Sequence, residues 1–295
     1  MSYDETMVSK PTQWMVLDGG AFKVCGQTMG RLPAGAYSCT TDCYGSPLFQ
    51  MKTLKVDDLI DFEDSLPSRI LAEIERFWTL GERFRRYGFL HRRGYLLYGK
   101  QGCGKSSLIH QIISKVVRTG GVAFFCEYPQ PFARCMEQFR KVESDRPMVC
   151  VFEDIDAIIQ NYGDSDLLQW LDGNQQVDRA VNIASTNYPE KLDRRIISRP
   201  RRFDRLLRIE SPDERVRAAY FARKMPDLGA AERLEWVRLT EGLPFASLAE
   251  VVISVRCLGN DLYETVELLR KLDCHNPSSD EFASEGAAEC NGVAG

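Results

Sequence analysis

Short apolar runs recur through the middle of the chain and alternate with stretches whose apolar residues have helical spacing. The apolar runs are residues 95–98, 122–126, 148–152, 181–184 and 206–209. After the first run, Leu108, Ile112 and Val116 fall on one side of a predicted helix. Strands that alternate with helices are typical of an α/β fold in which helices cover both faces of a parallel sheet. The pattern therefore predicts an α/β core over residues 61–211.

The first 60 residues have a different pattern. Four short β-biased segments are separated by turns rich in Gly and Pro. They predict a small, antiparallel, β-rich N-terminal domain over residues 1–60. This segment carries no catalytic pattern, so we interpret it as a docking or recognition domain for an unknown protein substrate. A structural extension of the core is the alternative interpretation.

Helical spacing dominates two further segments. A helix is predicted to begin at Pro67 and to end near residue 87. Every apolar segment of residues 212–273 has helical spacing, which predicts a small all-α lid. Residues 274–295 are rich in Asn, Pro, Ser, Glu, Ala and Gly, a composition typical of a disordered tail.

The overall composition narrows the class of protein. A net charge of −4 and a pI near 5.6 give no general reason to expect nucleic acid or a membrane surface as a partner. No apolar run approaches the ~18 residues of a membrane-spanning helix, and the ten cysteines include no CxxC pair. A zinc site at Cys39 and Cys43 would lack identifiable partner ligands. We therefore predict a cytoplasmic protein with reduced thiols and no membrane segment.

Residues 99–106 fill every position of the phosphate-binding pattern GxxxxGK[ST]. A predicted strand precedes them and a predicted helix follows, which is the context this motif needs. Glycines let successive N–H groups and the positive end of the helix converge on a phosphate. Lysine adds positive charge, and the serine hydroxyl can coordinate Mg²⁺. The predicted nucleotide-binding residues are Gly99, Gly102, Cys103, Gly104, Lys105, Ser106 and Ser107.

Polar side chains suited to hydrolysis follow two later strands. Glu153 and Asp154 come directly after one apolar run, and Asn187 comes shortly after the next. Ligands of open α/β sheets bind at the carboxyl ends of the strands. A carboxylate there can hold a metal or activate water, and an amide can hydrogen-bond phosphate and water. The segment from residue 193 to 205 is dense in Arg, whose guanidinium group suits phosphate oxygens.

These motifs together resemble a known family. The succession Gly-x-x-Gly-x-Gly-Lys-Ser, apolar-Glu-Asp-Ile-Asp, Ser-Thr-Asn and Arg-Pro-Arg-Arg-Phe-Asp-Arg resembles the Walker A, Walker B, sensor 1 and second-region-of-homology motifs of AAA ATPases. The resemblance covers residues 89–256 and is greatest to the branch that contains the mitochondrial Rieske-protein translocase and its bacterial and phage relatives. It implies a P-loop AAA core, ATP as the nucleotide, and Mg²⁺ held by Ser106 and Glu153.

The resemblance also assigns roles by motif position. The catalytic residues that it implies are Glu153, Asp154, Asn187, Arg199 and Arg202. Asn187 is the sensor, and the two arginines are fingers that complete the site of a neighbouring subunit. Such sharing implies a homo-oligomeric ring, usually a hexamer. In the lid, residues 242–246 resemble the family's Gly-x-Ser-Gly-Ala turn, which covers the nucleotide base, with Pro-Phe in place of Ser-Gly.

Three features depart from the family pattern. The two acids are in Glu-Asp order, so Asp154 takes the water-activating place or shares that role with Glu153. One extra residue separates Asp193 from Arg199, which makes Arg201 a rival finger. Residues 127–147 lack the aromatic-apolar-glycine triplet of unfoldase pore loops. Threading of a peptide by paddling aromatic side chains is therefore not expected.

The sequence supports one principal function and two alternatives. We expect a Mg-ATP-hydrolysing AAA ring ATPase that remodels or translocates a protein partner. The arginines of residues 83–93, interleaved with aromatic residues, suggest a nucleic-acid-associated loader or replication ATPase as one alternative. Such a run is more often a solvated helix end or a subunit contact. The short Asp154 side chain suggests a slow, nucleotide-gated scaffold as the other.

Overall fold

The computed structural model describes residues 13–16, 22–26, 28–54, 66–172, 178–197 and 201–273. The chain divides into two compact units, Met1–Pro33 and Ala34–Gly295. In the first unit, β1 (Gln13–Val16) pairs antiparallel with β2 (Phe22–Cys25). The predicted tail at residues 274–295 and the predicted finger Arg199 lie outside the described residues.

The second unit is organised around a seven-stranded sheet. Its strands are β3 (Gly35–Thr41), β4 (Pro47–Lys52), β5 (Arg92–Tyr98), β6 (Val122–Phe125), β7 (Met148–Phe152), β8 (Ala180–Thr186) and β9 (Arg205–Arg208). They lie in the order β4-β3-β6-β7-β8-β5-β9, and every neighbouring pair is parallel except β3 with β4. All five predicted core strands are present, which confirms the α/β fold class.

The strands of residues 35–52 differ from the expectation of a separate N-terminal β domain. β3 runs parallel to β6 and continues the core sheet, while β4 forms the sheet edge. The cause is burial: Tyr37 and Cys39 are nearly inaccessible, and the Tyr37 ring packs against Phe124 with centroids 5.9 Å apart. The alternative interpretation, a structural extension of the core, therefore describes this part of the segment. The boundary between the two units falls at residue 33, not at residue 60.

Helices cover both faces of the sheet. They are α1 (Leu66–Trp78), α2 (Gly81–Arg86), α3 (Lys105–Arg118), α4 (Pro129–Val142), α5 (Ile155–Tyr162), α6 (Ser165–Asp172) and α7 (Arg194–Ile197). On one face, side chains of α1 and α3 join the buried core of the central strands. On the other face, Phe132 of α4 contacts the rings of Phe152 and Trp170. The predicted helix 67–87 is divided between α1 and α2 by a turn at residues 79 and 80.

Four helices complete the described chain as predicted. They are α8 (Glu214–Lys224), α9 (Ala230–Leu239), α10 (Phe245–Val252) and α11 (Leu262–Asp273), with a π-helical segment, Ile253–Cys257, after α10. They share a core of their own, in which Phe221 and Trp236 pack with ring centroids 5.5 Å apart. Across the part of the chain that the structure describes, no helix is both long enough and apolar enough to cross a membrane.

Candidate nucleotide-binding and hydrolytic site

The phosphate-binding motif forms the loop that joins β5 to α3. Gly99, Gly102 and Gly104 have φ angles of +149°, +79° and +97°, which side chains with a Cβ rarely adopt. Gly104 lies immediately before α3, so the positive end of a 14-residue helix opens at this loop. Cys103 is buried with its Sγ 3.7 Å from Ser211 Oγ, Ser106 is exposed, and Ser107 is half-buried.

Two glycines of the loop, Gly99 and Gly102, have no room for a side chain. A Cβ at Gly99 would lie 2.2 Å from the carbonyl oxygen of Ile209, and one at Gly102 would lie 2.8 Å from Ala246 Cβ. Both positions therefore keep the backbone bare where a polyphosphate would have to approach it. The conformation, the helix terminus and the adjacent lysine together fit an anionic nucleotide.

Lys105 is held inside this loop. Its ammonium group donates hydrogen bonds to the carbonyl oxygens of Gly99, at 2.7 Å, and Lys100, at 2.8 Å. The side chain is buried, and burial lowers its pKa from the ordinary value, while the charges of Asp154 and Asp156 act in the opposite direction. The residue is thus a positioned cation at the loop, not a solvated surface lysine.

The carboxylate and the sensor amide meet at the carboxyl edge of the sheet. β8 lies between β5 and β7, so the segments after β7 and β8 emerge side by side and next to the loop after β5. Asn187 Nδ2 donates to Asp154 Oδ1 at 3.3 Å, and the Asp154 N–H donates to Ser185 Oγ at 3.3 Å. The predicted neighbours Asp154 and Asn187 are therefore in contact.

A further pair of side chains, which sequence reasoning did not assign, ties the same two segments together. Thr186 Oγ1 donates to Asp156 Oδ1 at 2.6 Å and accepts from the N–H of Tyr188 at 3.0 Å. Thr186 is fully buried, so this contact fixes the end of β8 against the start of α5. In the sequence, the contact between Thr186 and Asp156 was indicated only by the position of Asp156 as the second aspartate of the Glu-Asp-Ile-Asp run.

Two oxygen-bearing side chains could hold Mg²⁺. Ser106 is exposed at the first turn of α3, and Glu153 is half-buried directly after β7. Hydroxyl and carboxylate oxygens are the ligands that Mg²⁺ prefers, and its remaining ligands are commonly water and phosphate. Within the described ranges, no group of three or more His, Cys, Asp or Glu side chains could hold a metal ion.

The structure corrects the expectation for Arg202. Its side chain is 3% exposed, its Nε donates to Asp172 Oδ2 at 2.7 Å, and another guanidinium nitrogen donates to the carbonyl oxygen of Arg195. A finger that acts on a neighbouring subunit must be exposed, whereas this guanidinium is bound inside its own chain. The neighbouring Arg201 is exposed, has a φ of +78°, and lies over the Phe89 ring at 5.8 Å.

The lid touches the phosphate-binding loop through the first turn of α10. The Ala246 N–H donates to the Gly102 carbonyl oxygen at 3.3 Å. The Phe245 ring comes within 3.5 Å of the position that a Cβ at Gly104 would occupy. A rotation of the lid would therefore move atoms that contact the loop directly.

These observations define a P-loop nucleotide-binding protein. Its site has a glycine loop between the buried strand β5 and helix α3, a buried lysine, and an amide and a carboxylate that follow the neighbouring strands β8 and β7. Comparison with known proteins narrows the class. Residues 95–211 match the family described as ATPase family associated with various cellular activities (AAA). The chain therefore contains an AAA ATPase domain and has homologues within the AAA family.

Three relatives illustrate the similarity. The chain is 28% identical over 203 residues to the ATPase family gene 2 protein of Schizosaccharomyces pombe, covering 64% of this chain and 25% of the relative. It is 29% identical over 226 residues to the ATP-dependent zinc metalloprotease FtsH 2 of Sphaerobacter thermophilus, covering 69% and 34%. It is 27% identical over 217 residues to the mitochondrial inner membrane i-AAA protease supercomplex subunit YME1 of Saccharomyces cerevisiae, covering 67% and 28%. The chain thus spans between a quarter and about a third of the length of these relatives.

Proposed function

We propose that this chain is a Mg²⁺-dependent ATP hydrolase that works as a homo-oligomeric ring and remodels or translocates a protein partner. The observation that carries the proposal is the contact between Asn187 and Asp154 at the same sheet edge as the Lys105 loop. Phosphate binding alone would need the loop, but hydrolysis also needs a group that orients water.

The residues of the site divide the work as follows. The loop N–H groups and the Lys105 ammonium bind the phosphates of ATP. Ser106 and Glu153 would hold Mg²⁺, which when bound would supply positive charge to the transferred phosphoryl group. Asp154 accepts a hydrogen bond from water and orients its oxygen for attack, and the Asn187 amide fixes the rotamer of that carboxylate. Aspartate is one methylene shorter than glutamate, so we expect ATP turnover to be slower than in a site with glutamate at this position.

The ring and the protein partner rest on the family resemblance. Arg199 and the exposed Arg201 are our candidates for groups that reach the site of an adjacent copy. Two of the relatives named above are ATP-dependent or AAA proteases, which supports a protein as the partner. We place the protein in the cytoplasm because its ten cysteines include no CxxC pair, and Cys39 and Cys150 are buried within strands as small apolar side chains.

Steady-state ATP turnover tests the proposal. We expect Lys105→Ala and Asn187→Ala to lower kcat by at least about a hundredfold, since each removes a charge or an orienting group from the transition state. Lys141→Ala, which removes an exposed lysine on α4, is the matched control and should be silent. Turnover per chain should also rise with protein concentration, and Arg199→Ala should abolish that rise.

The outcomes separate the alternatives. Turnover that survives Lys105→Ala would show that another site is responsible. Turnover that depends on Lys105 but is independent of concentration and of Arg199 would leave a monomeric ATPase and remove the ring. ATP binding without measurable turnover would favour the nucleotide-gated scaffold.

A further inference from the structure

Three consecutive residues at the end of β8 hold the segment that follows β7. Ser185 Oγ accepts the Asp154 N–H at 3.3 Å, and Asn187 Nδ2 donates to Asp154 Oδ1 at 3.3 Å. Between them, Thr186 Oγ1 donates to Asp156 Oδ1 at 2.6 Å. Two of these contacts therefore end on Asp154, and the third ends two residues further along, in the first turn of α5.

The Thr186 hydroxyl also closes a turn around Asn187. Thr186 Oγ1 accepts the N–H of Tyr188 at 3.0 Å, so a hydrogen bond joins the residues on both sides of Asn187. The hydroxyl has one proton, and that proton is directed to Asp156. Because Thr186 is fully buried, both bonds lie in an interior where hydrogen bonds are stronger than in water. The backbone of Asn187, and with it the direction of the amide, is thus fixed by the side chain before it.

Asp156 carries the same restraint to Asp154 through the first turn of α5. The Asp154 carbonyl oxygen accepts the N–H of Ala157 at 2.8 Å, which ties the residue to that turn. Asp154 has a φ of +46°, a conformation that a non-glycine residue keeps only where surrounding contacts hold it. Asp156 belongs to the same turn, so its bond to Thr186 anchors the turn against β8. A displacement of this turn would move the Asp154 carboxylate with it.

The charge of Asp156 reaches the nucleotide site. Burial lowers the pKa of Lys105, and the negative charges of Asp154 and Asp156 both act in the opposite direction. The Asp156 carboxylate therefore lies within electrostatic range of the ammonium group that we assign to the phosphates. Its contact with Thr186 belongs to the surroundings of the site and is not a remote structural contact.

We propose that Thr186 and Asp156 are positioning residues of the hydrolytic site. They act through Asn187 and Asp154, because their hydrogen bond sets the distance and angle at which that amide and that carboxylate meet. Their role rests on the proposed ATP hydrolysis and concerns its rate. A misplacement of about 1 Å can slow a reaction about a hundredfold. Loss of the bond should therefore lower kcat and leave nucleotide binding, which depends on the loop after β5, unchanged.

ATP turnover and nucleotide affinity, measured on the same variants, test the proposal. Thr186→Val keeps the shape of the side chain but removes the hydroxyl, and it should lower kcat roughly tenfold. The dissociation constant for ADP, measured by isothermal titration calorimetry, should stay within about twofold of the wild-type value. Thr186→Ser keeps the hydroxyl and should restore kcat to within about threefold of the wild type.

Thr240 provides the matched control. It is also fully buried, and its hydroxyl donates to the Trp236 carbonyl oxygen at 2.7 Å, but it lies at the end of α9 in the lid. Thr240→Val loses the same kind of hydrogen bond as Thr186→Val, so both should lower the melting temperature. Only Thr186→Val should lower kcat. A fall in kcat that came from a general loss of stability would appear in both variants.

A double-mutant cycle shows whether the two residues act as one unit. Asp156→Ala should lower kcat by about the same factor as Thr186→Val, since each removes one end of the same hydrogen bond. The variant that carries both changes should be no slower than the slower single variant. Asp156 is only half-buried, so Asp156→Ala carries the test alone if Thr186→Val does not fold.

Four results would overturn the proposal. They are a wild-type kcat in Thr186→Val, an equal fall of kcat in Thr240→Val or in Thr186→Ser, an ADP affinity that falls in proportion to kcat, and effects of Thr186→Val and Asp156→Ala that multiply in the double variant. Failure of the proposed function has a different signature, because Lys105→Ala and Asn187→Ala would then leave turnover unchanged. If those two variants are inactive while Thr186→Val has the wild-type kcat, only the positioning role is wrong.

Discussion

Asp154 combines a strained backbone with a held side chain. Its φ and ψ of +46° and +54° place a non-glycine residue in the left-handed region at the start of α5, which aspartate tolerates better than most residues. Ser185 accepts its N–H and Asn187 donates to its carboxylate, so the neighbouring strand holds both ends of the residue. Backbone strain of this kind is concentrated at functional sites, which agrees with the water-orienting role that we propose.

Arg202 and Arg201 should respond differently to truncation. Arg202→Ala removes the buried guanidinium and its 2.7 Å ion pair with Asp172, and we expect a loss of about 2–4 kcal/mol in the free energy of unfolding. Arg201→Ala removes an exposed side chain and should cost less than about 1 kcal/mol. Chemical denaturation measures both values.

The stability of these two variants must be known before their ATP turnover is compared. Loss of turnover in Arg202→Ala would follow from instability alone, so turnover is to be compared only where both variants are folded. Arg202→Ala with wild-type stability would contradict the buried ion pair and would reopen its role as a finger.

Among the elements, those fixed by local pattern were predictable and those fixed by distant partners were not. Strand β7 is buried at every position, so it appears in the sequence as an unbroken apolar run. The pairing of β3 with β6 joins residues more than 80 positions apart, and nothing in the alternation of β3 indicates which edge it will meet. The contact of Arg202 with Asp172 is hidden for the same reason, since both residues carry charges that a surface would accept.

The loop between β5 and α3 depends on a strand that comes much later in the chain. Ile209, next to β9, donates its N–H to the Tyr98 carbonyl oxygen at 2.7 Å, and its own carbonyl oxygen faces Gly99. Gly99→Ala should therefore destabilise the fold by at least about 2 kcal/mol and abolish ATP binding. The backbones at Gly99 and Ile209 cannot move apart, because they adjoin the hydrogen-bonded strands β5 and β9.

Gly120→Ala is the control for Gly99→Ala. Gly120 also has a positive φ, of +82°, but a Cβ there would have no neighbour within 4 Å. It should cost only about 1 kcal/mol, the strain of the backbone alone, and leave ATP binding intact. Thermal melting and binding of a fluorescent ATP analogue measure both effects; equal losses in the two variants would show that the close approach at Gly99 is unimportant.

At the scale of the whole molecule, the division at residue 33 predicts how far the chain can be shortened from its N-terminus. Removing residues 1–33 takes away the unit that contains β1 and β2 and leaves the seven-stranded sheet complete. We expect the melting temperature to change by no more than a few degrees and basal ATP turnover to persist. If the first unit recognises the protein partner, this truncation should lose partner binding only.

Removing residues 1–54 should have a different result. It deletes β3 and β4, uncovers the edge of β6, and exposes Phe124, whose ring packs against Tyr37 and Phe49. Each large apolar side chain that loses its cover costs about 1.5–3 kcal/mol, and an open, apolar strand edge promotes aggregation. Size-exclusion chromatography and thermal melting should therefore show aggregation or a much lower melting temperature. If the chain that begins at residue 55 has the same melting temperature as the full chain, β3 and β4 do not stabilise the core sheet. A sheet whose core includes them would lose stability when they are removed.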